Sequence, residues 1–245
     1  MPTLALILAR AGSKGVPRKN AALIAGKPCI AWTIDAAKSA STITRTVLST
    51  DDAALAAIAR SLGAEVIQRP ANLASDTARI DDAARHAVTE TARLWPAAAE
   101  PNSPIVILYG NVPVRPPGLI DRAVKLLLSS GADSVQSYAP VGKFHPWWTA
   151  RVDPDSGAVR PWEGDTLNHN VFRRQDLPSA HIPDGGVLVV TRRALFCEIP
   201  GIPPGPHAFF GRDRRGIINP EGAVIDIDSA TDLLVADAML RSAAY

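Results

Sequence analysis

Short apolar segments that alternate with segments of helical periodicity constrain the fold of this chain more than any other feature. The first, 4–9, is an uninterrupted apolar run, as expected for a strand buried on both faces. Further strands are predicted at 46–49, 66–67, 105–109, 133–138, 186–190 and 224–227. Helices are predicted at 28–40, from a cap at Asp51 or Asp52 to about Leu62, and at 79–95, 117–130 and 229–242. The alternation predicts an α/β fold, with a Rossmann-like, mostly parallel sheet flanked by helices.

The length and composition favour a single domain. The 245 residues are 47% hydrophobic and 20% charged, which is typical of a globular protein. The residue pattern of the sequence changes at about 140–183, where Trp147, Trp148 and Trp162 occur among many prolines and charged residues. We therefore expect a single domain over 1–245, with a small β-rich flap inserted at about 140–183.

Charge and cysteine content exclude several classes of protein. Lys and Arg number 26 against 24 Asp and Glu, which is too even for a nucleic-acid or membrane-surface protein without clustered charge. No apolar stretch reaches the about 18 residues of a membrane span, and the first apolar run is too short for a signal peptide. Cys29 and Cys197 form neither a disulfide framework nor a zinc motif and are expected to be buried. We expect a cytoplasmic protein without nucleic-acid or membrane partners.

The loop after the first predicted strand carries the strongest chemical signal. Residues 9–20 include two glycines, which allow backbone N–H groups to approach an anion, and four cations, which neutralise it: Gly12, Gly15, Arg10, Lys14, Arg18 and Lys19. Ligands of open α/β sheets bind at the carboxyl ends of strands, where this loop lies. The pattern favours a nucleotide triphosphate, although it is neither a Walker A loop nor a GxGxxG motif. A merely solvated basic loop is the alternative.

Two acids near the C-terminus are candidates for a metal site. Asp226 and Asp228 occupy alternate positions of the last predicted strand, so that both carboxylates are expected on one face. Oxygen ligands of this kind suit Mg²⁺. Alternatively, one of them pairs with a residue of the basic loop or caps the C-terminal helix.

The chain resembles the CMP-sialic acid synthetases (acylneuraminate cytidylyltransferases). The motifs that carry this resemblance follow the family's order along the chain: LARAGSKGVPRKN at 8–20, GKP at 26–28, AWTI at 31–34, LSTDD at 48–52, GAEV at 63–66, RPANLASDT at 69–77, HP at 145–146, RQDLP at 174–178 and DID at 226–228. The resemblance implies a sheet of the nucleotide-diphospho-sugar transferase type. It also implies transfer of CMP from CTP to the anomeric hydroxyl of a 2-keto-3-deoxy sugar acid, with release of pyrophosphate.

The same resemblance implies roles for particular residues. Arg10 and Lys19 would hold the triphosphate, and Asp226 and Asp228 would bind Mg²⁺, which makes these four the catalytic residues. The other nucleotide-binding positions would be Ala9, Ser13, Lys14, Asn20, Arg69 and Ser75. Arg174 would bind the sugar carboxylate and Gln175 its hydroxyls. A homodimer is implied, in which the flap reaches the partner's site. Simpler alternatives are that Ser75, Asp76 or Thr77 caps the next helix and that Arg173 and Arg174 are surface charges.

The chain departs from the family pattern near the expected sugar site. The segment YGNVPVR at 109–115 places Tyr109 where the family has a glutamine that recognises the sugar. Asn111 stands where related sugar nucleotidyltransferases have a metal-binding aspartate, and Asp184 replaces an asparagine. The sugar therefore stays open among sialic acid, related nonulosonic acids and 3-deoxy-octulosonic acid. A paralogue that binds the nucleotide or CMP-sugar without turnover is a second alternative. Trp147 and Trp148 are expected in packing rather than substrate stacking, and the five histidines show no metal-ligand spacing.

Overall fold

The chain folds around a seven-stranded sheet, with two additional two-stranded sheets. The computed structural model describes residues 1–12 and 15–242. The strands are β1 (Leu4–Leu8), β2 (Leu23–Ile24), β3 (Lys27–Pro28), β4 (Arg45–Thr50), β5 (Glu65–Gln68), β6 (Pro104–Tyr109), β7 (Ser134–Pro140), β8 (Ala150–Val152), β9 (Val159–Pro161), β10 (His181–Thr191) and β11 (Arg214–Ile218). The helices are α1 (Cys29–Ser39), α2 (Ala53–Ser61), α3 (Ile80–Leu94), α4 (Leu119–Ser130), α5 (Arg192–Leu195) and α6 (Ala230–Arg241).

The central sheet is mostly parallel, as predicted. Its strand order is β11-β7-β10-β6-β1-β4-β5, and β10 runs antiparallel to both of its neighbours. Leu8 at the end of β1 is in register with Ser49 of β4 and Tyr109 of β6. The carboxyl ends of these three strands therefore meet at one edge, from which the loops of the candidate site emerge.

The apolar run of β1 is buried on both faces. Ala5 and Ile7 pack in a cluster with residues of α1, α2 and α4, whereas Leu4 and Leu6 pack in a second cluster with residues of α3 and α5. Alternate side chains of a strand point to opposite faces, so helices must cover both sides of the sheet. No helix among the described residues is long and apolar enough to cross a membrane.

A third apolar cluster fixes the segment that carries the two predicted metal ligands. Ile227 is fully buried and packs with Ala236 of α6, Ile24 of β2 and Val114. Asp226 and Asp228 therefore flank a buried anchor. The predicted strand over 224–227 is wrong: Ile225 makes only an isolated bridge to Val114. The facing segment contains Pro113, which lacks the N–H donor that a longer ladder needs.

The sequence does not predict strand β11, because RRGII at 214–218 has only two apolar residues and the strand lies at the edge of the sheet. Two further expectations need correction. Strand β10 begins at His181, inside the range expected for the flap. Cys197, expected to be buried, is exposed at a positive φ of 56°. Between β7 and β10 the chain forms the small antiparallel pair β8–β9 and several short 3-10 turns.

The predicted cap of α2 is confirmed and provides a stability test. Asp52 Oδ1 accepts hydrogen bonds from Ala54 N at 2.7 Å and Leu55 N at 3.2 Å. Asp52→Ala should lower the free energy of unfolding by about 1 kcal/mol, because two N–H groups of the first turn lose their acceptor. Urea denaturation measures this loss, and Asp52→Asn, which keeps an acceptor, should retain most of the stability. An unchanged midpoint for Asp52→Ala would contradict the assignment.

Candidate active site

A cleft of about 410 Å³ opens at the carboxyl ends of β1 and β6. We call it the central cleft. Its walls combine the basic loop after β1, the segment after β5, the start of α3 and the segment before α6. The residues that line it are Leu8, Ala9, Arg10, Gly12, Gly15, Lys19, Asn20, Arg69, Leu73, Ser75, Asp76, Ala78, Arg79, Ile80, Ala83, Tyr109, Asn111 and Asp228. The cleft therefore contains most of the residues predicted for nucleotide binding.

Arg10 spans two walls of the cleft. Its Nη1 donates to Asp76 Oδ1 at 2.6 Å and to Ala74 O at 3.4 Å. Next to it, Ala11 N donates to Asp51 Oδ1 at 2.9 Å. Among residues 1–12 and 15–242, the hydrogen bonds of the Arg10 side chain both use Nη1. A guanidinium also carries N–H donors on Nε and Nη2, which can contact an anion.

Lys19 joins the basic loop to the predicted metal ligands. Its Nζ lies 2.6 Å from Asp228 Oδ1. The Lys19 side chain is 18% exposed, whereas that of Asp228 is 73% exposed at the cleft. The sequence could not decide whether an acid of this pair contacts the basic loop, and the structure shows that Asp228 does. Asp232, rather than Asp228, completes the cap of α6 by accepting from Ser229 N at 2.7 Å.

Ala9 and Asn20, also in the basic loop, form hydrogen bonds that hold the loop in place. Ala9 is buried, and its N–H donates to Ser49 O at 3.2 Å. Asn20 Nδ2 donates to Arg10 O at 3.2 Å, and within the described part of the chain Asn20 Oδ1 is buried without a hydrogen-bond partner. Ser13 and Lys14, also predicted to bind the nucleotide, lie outside the described residues.

Arg69 and Ser75 form part of the opposite wall. Arg69 is buried, and it donates to Ser49 Oγ at 3.1 Å and Ser49 O at 2.7 Å. Burial lowers its pKa, and the charge of Asp51 opposes that shift. Ser75 Oγ donates to Asn72 O at 3.4 Å. The alternative that this region caps α3 is wrong: its N-cap is Arg79, which makes no side-chain cap.

The second acid, Asp226, lies behind Asp228 and is held by Asn111. Asn111 Nδ2 donates to Asp226 Oδ1 and, at 3.3 Å, to Ile227 O. Burial, followed by the charge of Asp228, raises the pKa of Asp226 to about 6, while Lys19 and Arg115 oppose this. A divalent cation bound between two neighbouring carboxylates would stabilise the charged form of Asp226.

The family model for cytidylyltransferases matches residues 4–155, which is more than half of the sequence. The chain belongs to the cytidylyltransferase family. Its relatives include the N-acylneuraminate cytidylyltransferase of Escherichia coli, which is 26% identical over 95% of this chain and 51% of the relative. The CMP-N,N'-diacetyllegionaminic acid synthase of Legionella pneumophila is 36% identical over 66% of this chain and 67% of the relative. The chain thus spans about half the length of the N-acylneuraminate cytidylyltransferases that it matches.

A relative of similar length and a solved structure complete the comparison. The post-translational flagellin modification protein B of Campylobacter coli is 26% identical over 97% of this chain and 94% of the relative. The structure of CMP:2-keto-3-deoxy-manno-octonic acid synthetase complexed with CTP superposes with a TM-score of 0.68 at 16% identity, covering 98% of both chains. At that identity the similarity concerns the fold, and it agrees with the predicted sheet of the nucleotidyltransferase type.

Of the four residues predicted to bind the sugar, Tyr109, Arg174, Gln175 and Asp184, the structure places Tyr109 alone in the lining of the cleft. Burial raises the pKa of Tyr109, and the charge of Asp226 adds to the shift. Asp184 is instead engaged by Ser137 Oγ, by Gly186 N at 2.9 Å and by Asn219 Nδ2 at 2.7 Å. Through these contacts Asp184 stabilises β10 and its neighbouring segments.

The other two sugar-binding candidates lie on the segment before β10. Arg174 forms an exposed ion pair with Glu221, and Gln175 is exposed next to it. Neither residue lines the central cleft. Arg173 pairs with Asp176 at 2.7 Å. Within one chain the structure therefore does not bring Arg174, Gln175 and Asp184 to Tyr109.

The two tryptophans after the HP motif, its His145 and the buried Cys29 have packing roles. Trp147 stacks on His169 with ring centroids 4.7 Å apart, and Trp148 Nε1 donates to Val171 O at 3.0 Å. His145 is buried, and its Nδ1 accepts from Trp147 N at 3.1 Å. Burial raises the pKa of the Cys29 thiol to about 12, so this cysteine is inert.

One wall of the cleft was missed by the sequence analysis. Arg79, Ile80 and Ala83, at the start of α3, line it, and Arg79 donates to Asp81 through Nε at 3.1 Å and Nη2 at 2.8 Å. The available signal was the predicted start of a helix at 79, directly after the motif at 69–77. The approach of that helix to the basic loop depends on strand order, which local periodicity does not contain.

Gly15 tests how closely the basic loop must approach the acid segment. A Cβ at Gly15 would lie 2.3 Å from Asp228 O, whereas a Cβ at Gly205 would meet nothing within 4 Å. Gly15→Ala should therefore lower the free energy of unfolding by about 1–3 kcal/mol through overpacking. The matched variant Gly205→Ala should leave it nearly unchanged. Equal unfolding midpoints for the two variants in urea would show that the loop does not pack on Asp228.

Proposed function

We propose that the chain transfers CMP from CTP to the anomeric hydroxyl of a 2-keto-3-deoxy sugar acid of the nonulosonic class. The observation that supports this most is the contact between Lys19 and Asp228 in the central cleft, which joins the triphosphate-binding candidates to the metal-binding candidates. The hydroxyl oxygen forms a bond to the α-phosphorus, the bond from that phosphorus to the bridging oxygen breaks, and pyrophosphate leaves. The hydroxyl proton is released.

The cations of the cleft stabilise the leaving group. Phosphoryl transfer depends chiefly on positioning and on neutralising the charge of the phosphate oxygens. Arg10 and Lys19 supply two positive charges at the carboxyl end of β1. Both are already oriented by acids, Arg10 by Asp76 and Lys19 by Asp228. Binding of the triphosphate then requires little reorganisation of either side chain.

The acid pair fits Mg²⁺. Asp228 faces the cleft, and Asp226 lies close enough for its charge to be disfavoured by Asp228. Among the described residues no group of three His, Cys, Asp or Glu side chains could hold a metal alone, and Mg²⁺ is usually bound by one or two carboxylates together with substrate phosphates. Asp226 and Asp228 would hold the ion, which when bound neutralises phosphate charge and polarises the α-phosphorus.

The relatives support the sugar class. The proteins similar to this chain include N-acylneuraminate cytidylyltransferases and a CMP-N,N'-diacetyllegionaminic acid synthase. Tyr109 at the floor of the cleft distinguishes this chain from the sialic acid pattern, so a modified nonulosonic acid is the substrate we favour. The octulosonic acid remains a substrate to test. Because CTP is the donor, we place the reaction in the cytoplasm.

A pyrophosphate-release assay with CTP and Mg²⁺ against a panel of nonulosonic and octulosonic acids tests this function. Release with one nonulosonic acid supports the proposal, and release only with an octulosonic acid corrects the substrate. CTP binding without release for any sugar would favour the non-catalytic alternative. Absence of CTP binding would refute the proposed function.

Asp228 provides the sharpest single test of the metal assignment. Asp228→Ala should reduce turnover at least about 100-fold, since it removes a carboxylate from the metal and a partner from Lys19. Stability should change little, because the side chain is mostly exposed. Asp155→Ala, at an exposed acid of the β8–β9 turn, is the matched control. Near-normal turnover by folded Asp228→Ala would refute the assignment.

We further propose that the segment between β7 and β10, 141–180, is a flap that forms a homodimer. Phe144 is 77% exposed, Phe172 91% and Trp162 55%, which is unusual for large apolar side chains that lie so near in sequence. A partner flap that covers this surface would also account for the distance of Arg174 and Gln175 from their own cleft.

Phe172 tests the dimer. Phe172→Ser should convert the dimer to a monomer in sedimentation velocity, because it removes a large apolar contact from the proposed interface. Leu94→Ser, at an exposed apolar residue at the end of α3, should leave the assembly unchanged. A monomeric wild-type chain, or dimers of equal affinity for both variants, would contradict the proposal.

A further inference from the structure

Arg115 is a buried cation beneath the central cleft that the proposed chemistry does not use. It is only 9% exposed. Its Nε donates to Gly186 O at 2.7 Å, its Nη1 to Thr33 Oγ1 at 2.9 Å and to Val112 O, and its Nη2 to Tyr109 O at 3.0 Å. Within residues 1–12 and 15–242, no carboxylate forms an ion pair with it. The hydrogen bonds named above all go to neutral acceptors; burial lowers the pKa of Arg115 to about 10, and the charges of Asp226 and Asp184 only partly oppose this. A charge buried in this way is costly and calls for a reason.

The positions of its acceptors supply that reason. Strands β6 and β10 are paired up to Ile107 and Leu188. If this pairing continued for two more residues in the same register, Tyr109 would pair with Gly186. The hydrogen-bond ladder between β6 and β10 ends before that point. Beside this point the pairing of β10 with β7 shifts between Pro183 and Leu188. Arg115 donates to the carbonyls of both Tyr109 and Gly186, so its guanidinium replaces the missing strand pairing with a planar bridge.

The bridge fixes the loop that holds the acid pair. Val112, whose carbonyl also accepts from Arg115, lies in the loop between Tyr109 and Arg115. From that loop Asn111 donates to Asp226 and to Ile227 O, and Asn111 O accepts from Ile227 N at 2.9 Å. The loop and the acid segment are therefore joined at both the side chain and the backbone of Asn111. Displacement of Val112 or Tyr109 would move Asp226 with it.

We propose that Arg115 is a positioning residue which, by bridging the separated ends of β6 and β10, sets the place of Asp226 relative to Asp228. Arg115 is not among the residues that line the central cleft. The inference rests on the proposed function, because it assigns a purpose to the position of the two carboxylates that would hold Mg²⁺.

Thr33 belongs to the same bridge and offers a milder perturbation. It is fully buried in α1, and its hydroxyl accepts from Arg115 while donating to Val112 O at 3.0 Å. Thr33→Val removes this hydroxyl with little change of volume. The guanidinium and its backbone acceptors remain, so the loop should shift less than in a variant of Arg115.

The test is the Mg²⁺ dependence of CTP binding, which needs no turnover. Calorimetry gives the CTP affinity of the wild type, Arg115→Lys and Thr33→Val without Mg²⁺ and at saturating Mg²⁺. Arg115→Lys keeps the positive charge but loses the planar guanidinium group whose N–H donors form the bridge. It should reduce the gain in affinity from Mg²⁺ by about tenfold, the range seen when groups that orient metal ligands are removed. Metal-free affinity should stay near the wild-type value, and Thr33→Val should show a smaller loss of the same kind.

Arg122→Lys is the matched control. Arg122 is an exposed arginine that donates to one backbone carbonyl, Pro117 O, at 2.9 Å, so its replacement should change neither affinity. Wild-type Mg²⁺ dependence in folded Arg115→Lys would overturn the inference, and so would equal losses with and without Mg²⁺, which indicate general loosening of the cleft. If Arg115→Lys does not fold, Thr33→Val decides by the same criteria. A wild-type chain that binds no CTP refutes the proposed function, and with it the inference.

Discussion

The burial of β1 between two layers of helices is the constraint on which the rest of the structure depends. Its side chains alternate between two apolar clusters, so neither face of the strand can be left to solvent. Parallel pairing with β4 and β6 then places Leu8, Ser49 and Tyr109 side by side. The loops that leave these strands have to meet at one edge. The position of the cleft thus follows from the burial of β1 between helices and from its parallel pairing with β4 and β6.

The charges of the cleft are paired across different segments of the chain. Arg10 contacts Asp76, and Lys19 contacts Asp228, which is 209 residues away in sequence. Each pair joins the basic loop to another wall of the cleft and so orients the loop. Partly buried cations are costly when unpaired, and Asp76 and Asp228 stabilise these two. Under the proposed function, a triphosphate would meet two cations that are already oriented.

Asn111 shows how a departure from a family pattern depends on its surroundings. An aspartate at this position would add a third carboxylate to Asp226 and Asp228. The amide instead donates to Asp226 Oδ1 and to Ile227 O, which stabilises a carboxylate whose pKa burial and Asp228 raise. The residue that stands at the position of a metal-binding aspartate is thus a hydrogen-bond donor to one of the two predicted metal ligands. The buried network around Arg115 and Thr33 extends this support beneath the cleft.

The sequence by itself determined the elements whose signal is local. The apolar run at 4–9, the Asp52 cap and the glycine-rich basic loop predicted β1, α2 and one wall of the cleft, because hydrophobic periodicity and capping are read over a few residues. Motifs in family order also predicted which distant segments, 8–20, 69–77 and 226–228, belong to the same site.

Only the tertiary structure decided the rest. It replaced the predicted strand at 224–227 with a segment anchored by Ile227, placed the start of α3 in the cleft, and assigned Asp184 to the support of β10. Strand order, the end of the pairing between β6 and β10, and the partner of a buried cation are set by contacts between residues far apart in sequence. In the sequence, Arg115 is an ordinary arginine after a proline-containing loop. Its four hydrogen-bond acceptors come from α1, from β10 and from the segment that precedes it, and they meet only in the folded chain.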